Sequence, residues 1–276
     1  MYSTASFFNI VFFSLFRYIL TLMTQQQYGK MHPLSQTIRN VTKIFVEMGF
    51  EVASGPQRED QWHNFDALNV PQDHPARDMQ DTFFLEEKDE QGRSKVLRTH
   101  TSSVQIRFME SFLKEGRELP FKIIAPGRVF RQEATDRTHE AQFHQLEGLV
   151  VGEGVSLAHL KGTLEHFLHT FYGRPIEFRF RPGYFPFVEP GIEIDLKFGE
   201  KWMEVLGAGM VHSNVLENVG IDPQRYSGFA FGLGIDRLTM MKYGIDDIRF
   251  FYQGDLRLHH ALRKEEIAYN DEISNE

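Results

Sequence analysis

Two β-type runs, KIIAPGRVFR (122–131) and QFHQLEGLVV (142–151), flank a ten-residue polar connection. A link this short lets them pair only as an antiparallel hairpin, because parallel neighbours need a crossover of a dozen or more residues. Side chains two apart on a strand share a face. Arg131 and Glu133 therefore point together, as do Gln145 and Glu147 across the hairpin, while Phe130, His144 and Leu146 take the opposite phase. One cation, two carboxylates and an amide on one sheet face are costly unless something polar binds there. A zwitterion attached to a phosphate suits that set. On spacing alone a solvated hairpin face suits it as well.

The rest of the chain extends the antiparallel pattern. Leu34, Ile38, Val41, Phe45 and Met48 recur at helical spacing over 33–48, ahead of Gly49, a short strand FEVAS and the break at Gly55-Pro56. Residues 57–82 read as a long ordered loop. TFFLEE and KVLRTH (82–87, 95–100) read as strands around a DEQGR turn. SSVQIRFMESFLKEG reads as a helix with Ser102 as N-cap, Gln105 closing a capping box and Gly116 as the stop. After the central hairpin come a helix over 156–173, further strands across 177–212, and GFAFGLG (228–234) running into helix IDRLTMMKYG. Strands outnumber helices and follow one another as hairpins, which predicts an α+β fold, not a βαβ chain. No linker interrupts the sequence after residue 31, so 31–258 counts as one domain.

Residues 1–30 differ from the rest. SFFNIVFFSLFRYILTLM (6–23) is almost entirely apolar, broken by Asn9 and Arg17. Its length approaches the roughly 20 residues needed to span a bilayer, but a basic start and a small-residue cleavage site are both missing. An extraneous or mis-assigned start (with Met23 or Met31 as alternatives), a packing helix and a membrane anchor all remain open, and the segment carries no chemistry. At the other end, 259–276 is a polar tail that includes His259 and His260. The chain has no Cys, which removes disulfides and thiolate metal sites and gives no sign of an oxidising compartment. A net charge of −8 argues against a generic nucleic-acid coat protein. The 26 Phe imply a large aromatic core.

Three further groupings could carry chemistry, each beside a plainer reading. LRTHTSS puts His100 and Ser102 at a strand end entering a helix, where both could face a ligand, or Ser102 could only cap and His100 only support. YFPFVEPG puts Phe185 and Phe187 on one face of an extended segment, an edge-to-face slot for a flat aromatic ligand or ordinary core. Glu189 continues that phase and could hold Mg2+ through oxygen, or be a surface acid. GFAFGLGIDRL sets close-spaced glycines before a helix with Arg237 in its first turn, which favours phosphate. It is neither a Rossmann fingerprint nor a P-loop. GxSxG and HExxH motifs are absent.

Taken together, these segments resemble the class II aminoacyl-tRNA synthetases, specifically the bacterial phenylalanyl-tRNA synthetase α subunits, over roughly residues 32–258. GFEVASGP resembles motif 1, GRVFRQEATDRTHEAQFHQLEG motif 2 and GFAFGLGIDRL motif 3. NFDALNVPQDHPARD, LRTHTSSVQIR, RFRPGYFPFVEP and GAGMVH resemble stretches particular to the phenylalanine enzymes. The resemblance implies an antiparallel sheet flanked by helices and a cytoplasmic enzyme that activates L-phenylalanine with ATP and Mg2+, then transfers it to tRNA(Phe). It implies a β subunit in an α2β2 heterotetramer, and no membrane. In that picture Arg131 holds the α-phosphate, and Arg237 and His139 the β- and γ-phosphates. Phe143, Gly232 and Gly234 belong to the ATP site, and Glu133, near the groups that take the amino acid, counts with Arg131 and Arg237 as catalytic. His100, Ser102, Gln145 and Glu147 take the ammonium and carboxylate of the amino acid. Phe185, Phe187, Val188 and Ala230 line the side-chain pocket, and Glu189 binds Mg2+ shared with the β subunit.

The chain departs from that pattern in several places. The apolar leader stands where the α subunits carry a helical arm that reaches tRNA. Asp236 stands where Glu is usual, Ser213 where Pro commonly follows GAGMVH, and the tail differs. A synthetase-like protein that binds or regulates without catalysing, and a ligase for another large amino acid, are the competing readings.

Overall fold

The computed structural model describes residues 31–77, 81–198 and 200–255, so the expectations for the leader and the polar tail lie outside the described residues. Helix α1 (Pro33–Glu47) forms where the apolar spacing places it, and it buries Leu34, Val41, Ile44 and Phe45. Gly49 at φ +86° ends it and leads into β1 (Glu51–Val52). The segment expected as one ordered loop is more structured than that. It contains β2 (Arg58–Glu59), helix α2 (Gln61–Asn64) and two 3-10 turns, Asp66–Leu68 and Pro75–Arg77. Asp60 caps α2 by accepting the His63 N–H at 2.9 Å, and Asp66 pairs with Arg77 and Arg93, each at 2.7 Å. Short polar segments are ordered here by ion pairs and caps, which hydrophobic periodicity does not register.

Strands β3 (Phe84–Lys88) and β4 (Ser94–Leu97) join β2 in a three-stranded sheet ordered β2-β4-β3. Helix α3 (Ser102–Lys114) corrects one local expectation. Its N-cap is Thr101 and no side chain caps it. The Ser102 hydroxyl and the Gln105 amide reach out of the helix to Glu147 instead. As caps these side chains would accept from backbone N–H groups; here they donate to a carboxylate instead, and a bond to a charged acceptor is the stronger one.

The large sheet follows: β5 (Phe121–Phe130), β6 (Gln142–Gly152), helix α4 (Leu157–Tyr172), β7 (Phe178–Phe185), β8 (Val188–Phe198), β9 (Lys201–Val211), helix α5 (Ser213–Asn218), β10 (Ser227–Gly234) and helix α6 (Ile235–Tyr243). Its seven strands run in the order β1-β5-β6-β10-β9-β8-β7. Every pairing is antiparallel except that of β1 with β5, which is parallel. The fold is therefore α+β as expected, with one parallel edge.

The two faces of this sheet are built differently. Phe229, Phe231 and Leu233 of β10 and Leu146 and Val150 of β6 join a core with Phe45, Phe167 and Leu238 from α1, α4 and α6. Phe45 stacks on both Phe167 and Phe231, at centroid distances of 4.8 and 5.1 Å. The opposite face packs Ile123, Ala125, Leu149 and Val151 against Val104, Met109 and Phe112. On that second face the alternation of β10 presents only glycine and alanine, Gly228, Ala230, Gly232 and Gly234, where the first face presents Phe229, Phe231 and Leu233.

Candidate active site

One row of the sheet register runs Ala125, Glu147, Gly232, Gly207 across β5, β6, β10 and β9, and the next runs Leu149, Ala230, Gly209 across β6, β10 and β9. The small residues leave a hollow over the sheet centre, a cavity of about 450 Å3. Gly207 is required there. A Cβ on it would lie 2.5 Å from Phe185 Cζ, so any side chain would expel the ring.

The closed end of the cavity is a hydrogen-bonded and aromatic corner. Glu147 is 6% exposed and accepts from the Thr101 N–H at 3.0 Å, from the Ser102 hydroxyl and, at 3.4 Å, from Gln105 Nε2. Burial pushes its pKa up, against those bonds and against Arg131 and Arg98. His100 is held neutral: burial, with Arg131 beside it, lowers its pKa to about 3. Its Nδ1 is buried with no hydrogen-bond partner, and so is Gln145 Oε1. Both residues line the cavity, and a buried polar atom without a partner in each calls for an explanation such as a polar ligand. Phe185 and Phe187 stack at 6.0 Å and 23°, not edge to face as expected, because Phe187 lies in the turn joining β7 to β8. His100 packs 6.3 Å from Phe187, and Val188 and Ala230 complete the apolar wall.

The open end is cationic. The Arg131 guanidinium lies 5.0 Å over the Phe143 ring, and its Nε donates to Thr99 O at 3.4 Å. Burial draws its pKa down, with Arg237 adding to that and Glu133 and Glu147 opposing it. Exposed Arg237, from the first turn of α6, donates to Glu204 O at 3.2 Å. His139 sits in the loop between β5 and β6. There Asp136 accepts the backbone N–H groups of Thr138 and His139, at 2.6 and 2.8 Å. Two guanidinium groups facing one hollow at the N-terminus of α6 form an anion site.

Arg131, Glu133, His139, Phe143, Gln145, Glu147, His100, Ser102, Phe185, Phe187, Val188, Ala230, Gly232, Gly234 and Arg237 all line this one cavity. Glu189 does not. It is exposed, beside Pro190 on β8. Gln105, Glu140, Glu204 and Asp236 also line the cavity, although the sequence marked none of them as a site residue. Gln105 matched a capping pattern, and Glu204 lies in a strand that shows no grouping of charge. Glu147 and Asp236 are buried, so the more accessible carboxylates that could offer oxygen to a divalent cation in the cavity are Glu133, Glu140 and Glu204. Among the described residues one cluster has metal-ligand spacing, Glu59, Asp60 and His63. Arg107 pairs with both carboxylates, and both His63 ring nitrogens face carboxylates, Asp60 and Glu110, to which they donate N–H, so no ring lone pair is left for a metal.

An antiparallel sheet that presents an anion end and an aromatic end in one hollow fits the class II synthetase core that the sequence resembles. The chain belongs to that family: the model described as tRNA synthetases class II core domain (F) matches residues 19–262. Within it the chain is similar to phenylalanine–tRNA ligase alpha subunits. It is 51% identical over 242 residues to that of Dehalococcoides mccartyi (strain CBDB1), covering 83% of this chain and 68% of the relative. It is 49% identical over 234 residues to that of Xanthomonas campestris pv. campestris (strain B100), covering 83% and 68%. It is 53% identical over 246 residues to that of Novosphingobium aromaticivorans, covering 83% and 66%.

Proposed function

We propose that this chain is the catalytic alpha subunit of a phenylalanine–tRNA ligase. The observation that carries the reading is the single cavity in which stacked Phe185 and Phe187 occupy one end and Arg131 and Arg237 the other. The space between them, with the unpartnered His100 Nδ1 and Gln145 Oε1, suits the ammonium and carboxylate of an amino acid. Glu147, with Ser102 and Gln105 holding it, supplies the countercharge for the ammonium, and a neutral His100 adds no repulsion.

The substrate carboxylate oxygen attacks the α-phosphorus of ATP, pyrophosphate leaves, and the adenylate remains bound. A hydroxyl of the terminal ribose of tRNA(Phe) then attacks the adenylate carbonyl, and AMP leaves. No protein nucleophile is needed, so the residues act by alignment and by stabilising charge. Arg131 reaches the α-phosphate from its seat on Phe143, and Arg237 and His139 meet the outer phosphates. Glu133, Glu140 and Glu204 would be the oxygen donors for Mg2+ inside the cavity, which would add charge neutralisation at the phosphates. Glu189, exposed outside it, fits an ion only at a surface completed by another subunit. Such a subunit, a beta chain in an α2β2 assembly in the cytoplasm, is part of the proposal. It would also carry editing, because an apolar pocket rejects an added hydroxyl only about a hundredfold.

The test is ATP–pyrophosphate exchange across a panel of amino acids, using the chain co-expressed with a beta subunit. Exchange with phenylalanine far above other amino acids is expected. Exchange favouring another large amino acid would reassign the substrate, and none with any amino acid would leave a binding protein.

A further inference from the structure

Asp236, 2% exposed in the first turn of α6, is tied to two other parts of the chain. One carboxylate oxygen accepts the His144 backbone N–H of β6 at 2.7 Å. The other accepts the hydroxyl of Tyr252, which also lies 3.3 Å from His144 Nδ1. Burial, reinforced by Asp236, raises the Tyr252 pKa, so the hydroxyl stays a donor. The segment that carries Tyr252 also holds the loop of His139. The Ile248 N–H donates to Arg137 O at 2.9 Å, and Arg137 Nη2 pairs with Asp246 at 2.5 Å. Thus 246–252 braces both elements that form the open end of the cavity. Among the described residues no hydrogen bond or ion pair ties 246–252 to Phe185, Phe187 or Ala230.

We propose that Tyr252 is a positioning residue for the nucleotide. Through Asp236 it fixes the first turn of α6 and with it Arg237, whose own side chain, among the described residues, hydrogen-bonds only to the Glu204 carbonyl. The proposal rests on the reading of the open end as the ATP phosphate site. Removing the hydroxyl in Tyr252→Phe leaves a buried carboxylate oxygen without its donor, and α6 shifts to relieve it.

The experiment is exchange kinetics of the full chain with its beta subunit, titrating ATP and phenylalanine separately, with melting temperature recorded alongside. Tyr252→Phe should raise the KM for ATP about tenfold, the scale of a lost hydrogen bond to a charged group. The KM for phenylalanine should stay within about twofold, the pattern of a loss confined to one substrate. A merely structural tyrosine would lower the melting temperature and leave both KM values alone, which overturns the proposal, as would equal rises in both. If Tyr252→Phe does not fold, Asp236→Asn keeps the volume while weakening the same tie and should show the same split. Should wild type exchange with no amino acid, the ligase reading falls by itself. Calorimetric ATP binding then decides: weaker binding by Tyr252→Phe upholds the positioning role, and equal binding overturns it.

Discussion

The two ends of the cavity are made of different material. At the closed end Glu147, Ser102 and Gln105 are buried and bound to one another, and the aromatic wall rests on a floor of Gly207 and Ala230. At the open end Glu133, His139 and Arg237 are exposed, and the loop carrying His139 is folded by Asp136. A closed, bonded end discriminates by fit, because a wrong shape must displace groups that have no other place to go. An open, charged end discriminates little among anions. Its cations gain most where negative charge is spread as a bond to phosphorus forms and breaks. On the proposed reading, the first end sets which amino acid enters and the second sets how fast the adenylate forms.

The strongest way to break this division is Arg131→Ala. Arg131 belongs to the open end by role, although its guanidinium is buried against Phe143. Loss of one preorganised charge-stabilising donor costs on the order of 10²–10³-fold in kcat. Exchange should fall by that much or more while calorimetric phenylalanine binding stays nearly intact. If amino-acid binding is lost instead, Arg131 belongs to the closed end and the division fails there.

Ala230→Gly probes the opposite end with a smaller effect. Ala230 lies in a row with Leu149 and Gly209 on the sheet floor, so removing its methyl deepens the pocket without touching a polar group. One methyl or methylene changes selectivity by about 1–3 kcal/mol, so kcat/KM for para-chlorophenylalanine relative to phenylalanine should rise roughly tenfold to a few hundredfold. The KM for ATP should not move. An unchanged ratio would place the side chain elsewhere.

The same contrast governs how far the sequence could be read. The alternation that puts Arg131, Gln145 and Glu147 together is a property of two strands, and it persists in the fold although Arg131 lies one residue beyond β5. The helices legible from apolar spacing are also in place. What fails is what depends on partners distant in sequence. Ser102 and Gln105 satisfied a local capping rule, yet a carboxylate 45 residues away from Ser102 claims them. Glu204 and Gly207 matter because β9 lies beside β10, a neighbour relation that a linear pattern does not contain. Glu189 shared a strand phase with the rings, but Phe187 sits in a turn and the phase does not carry through it.

The finest probe of the closed end is pH. His100 has a folded pKa of about 3, depressed by burial and then by Arg131, against about 6.5 for an unfolded histidine. For a base with a lowered pKa the sign is definite. Above about pH 6.5 neither state holds the proton and the group is neutral to stability. As pH falls from there towards 3, the unfolded chain takes up a proton that the folded one refuses, and stability drops. The slope is at most about 1.4 kcal/mol per pH unit, and less if water reaches the ring. Urea unfolding between pH 7 and 5 should therefore show a steeper loss for wild type than for His100→Asn. The KM for phenylalanine should show no inflection near pH 6.5, because the ring beside the ammonium site stays neutral throughout. An imidazole resonance of His100 titrating near 6.5 would mean that solvent reaches this end as freely as the phosphate end, and the contrast between the two would be lost.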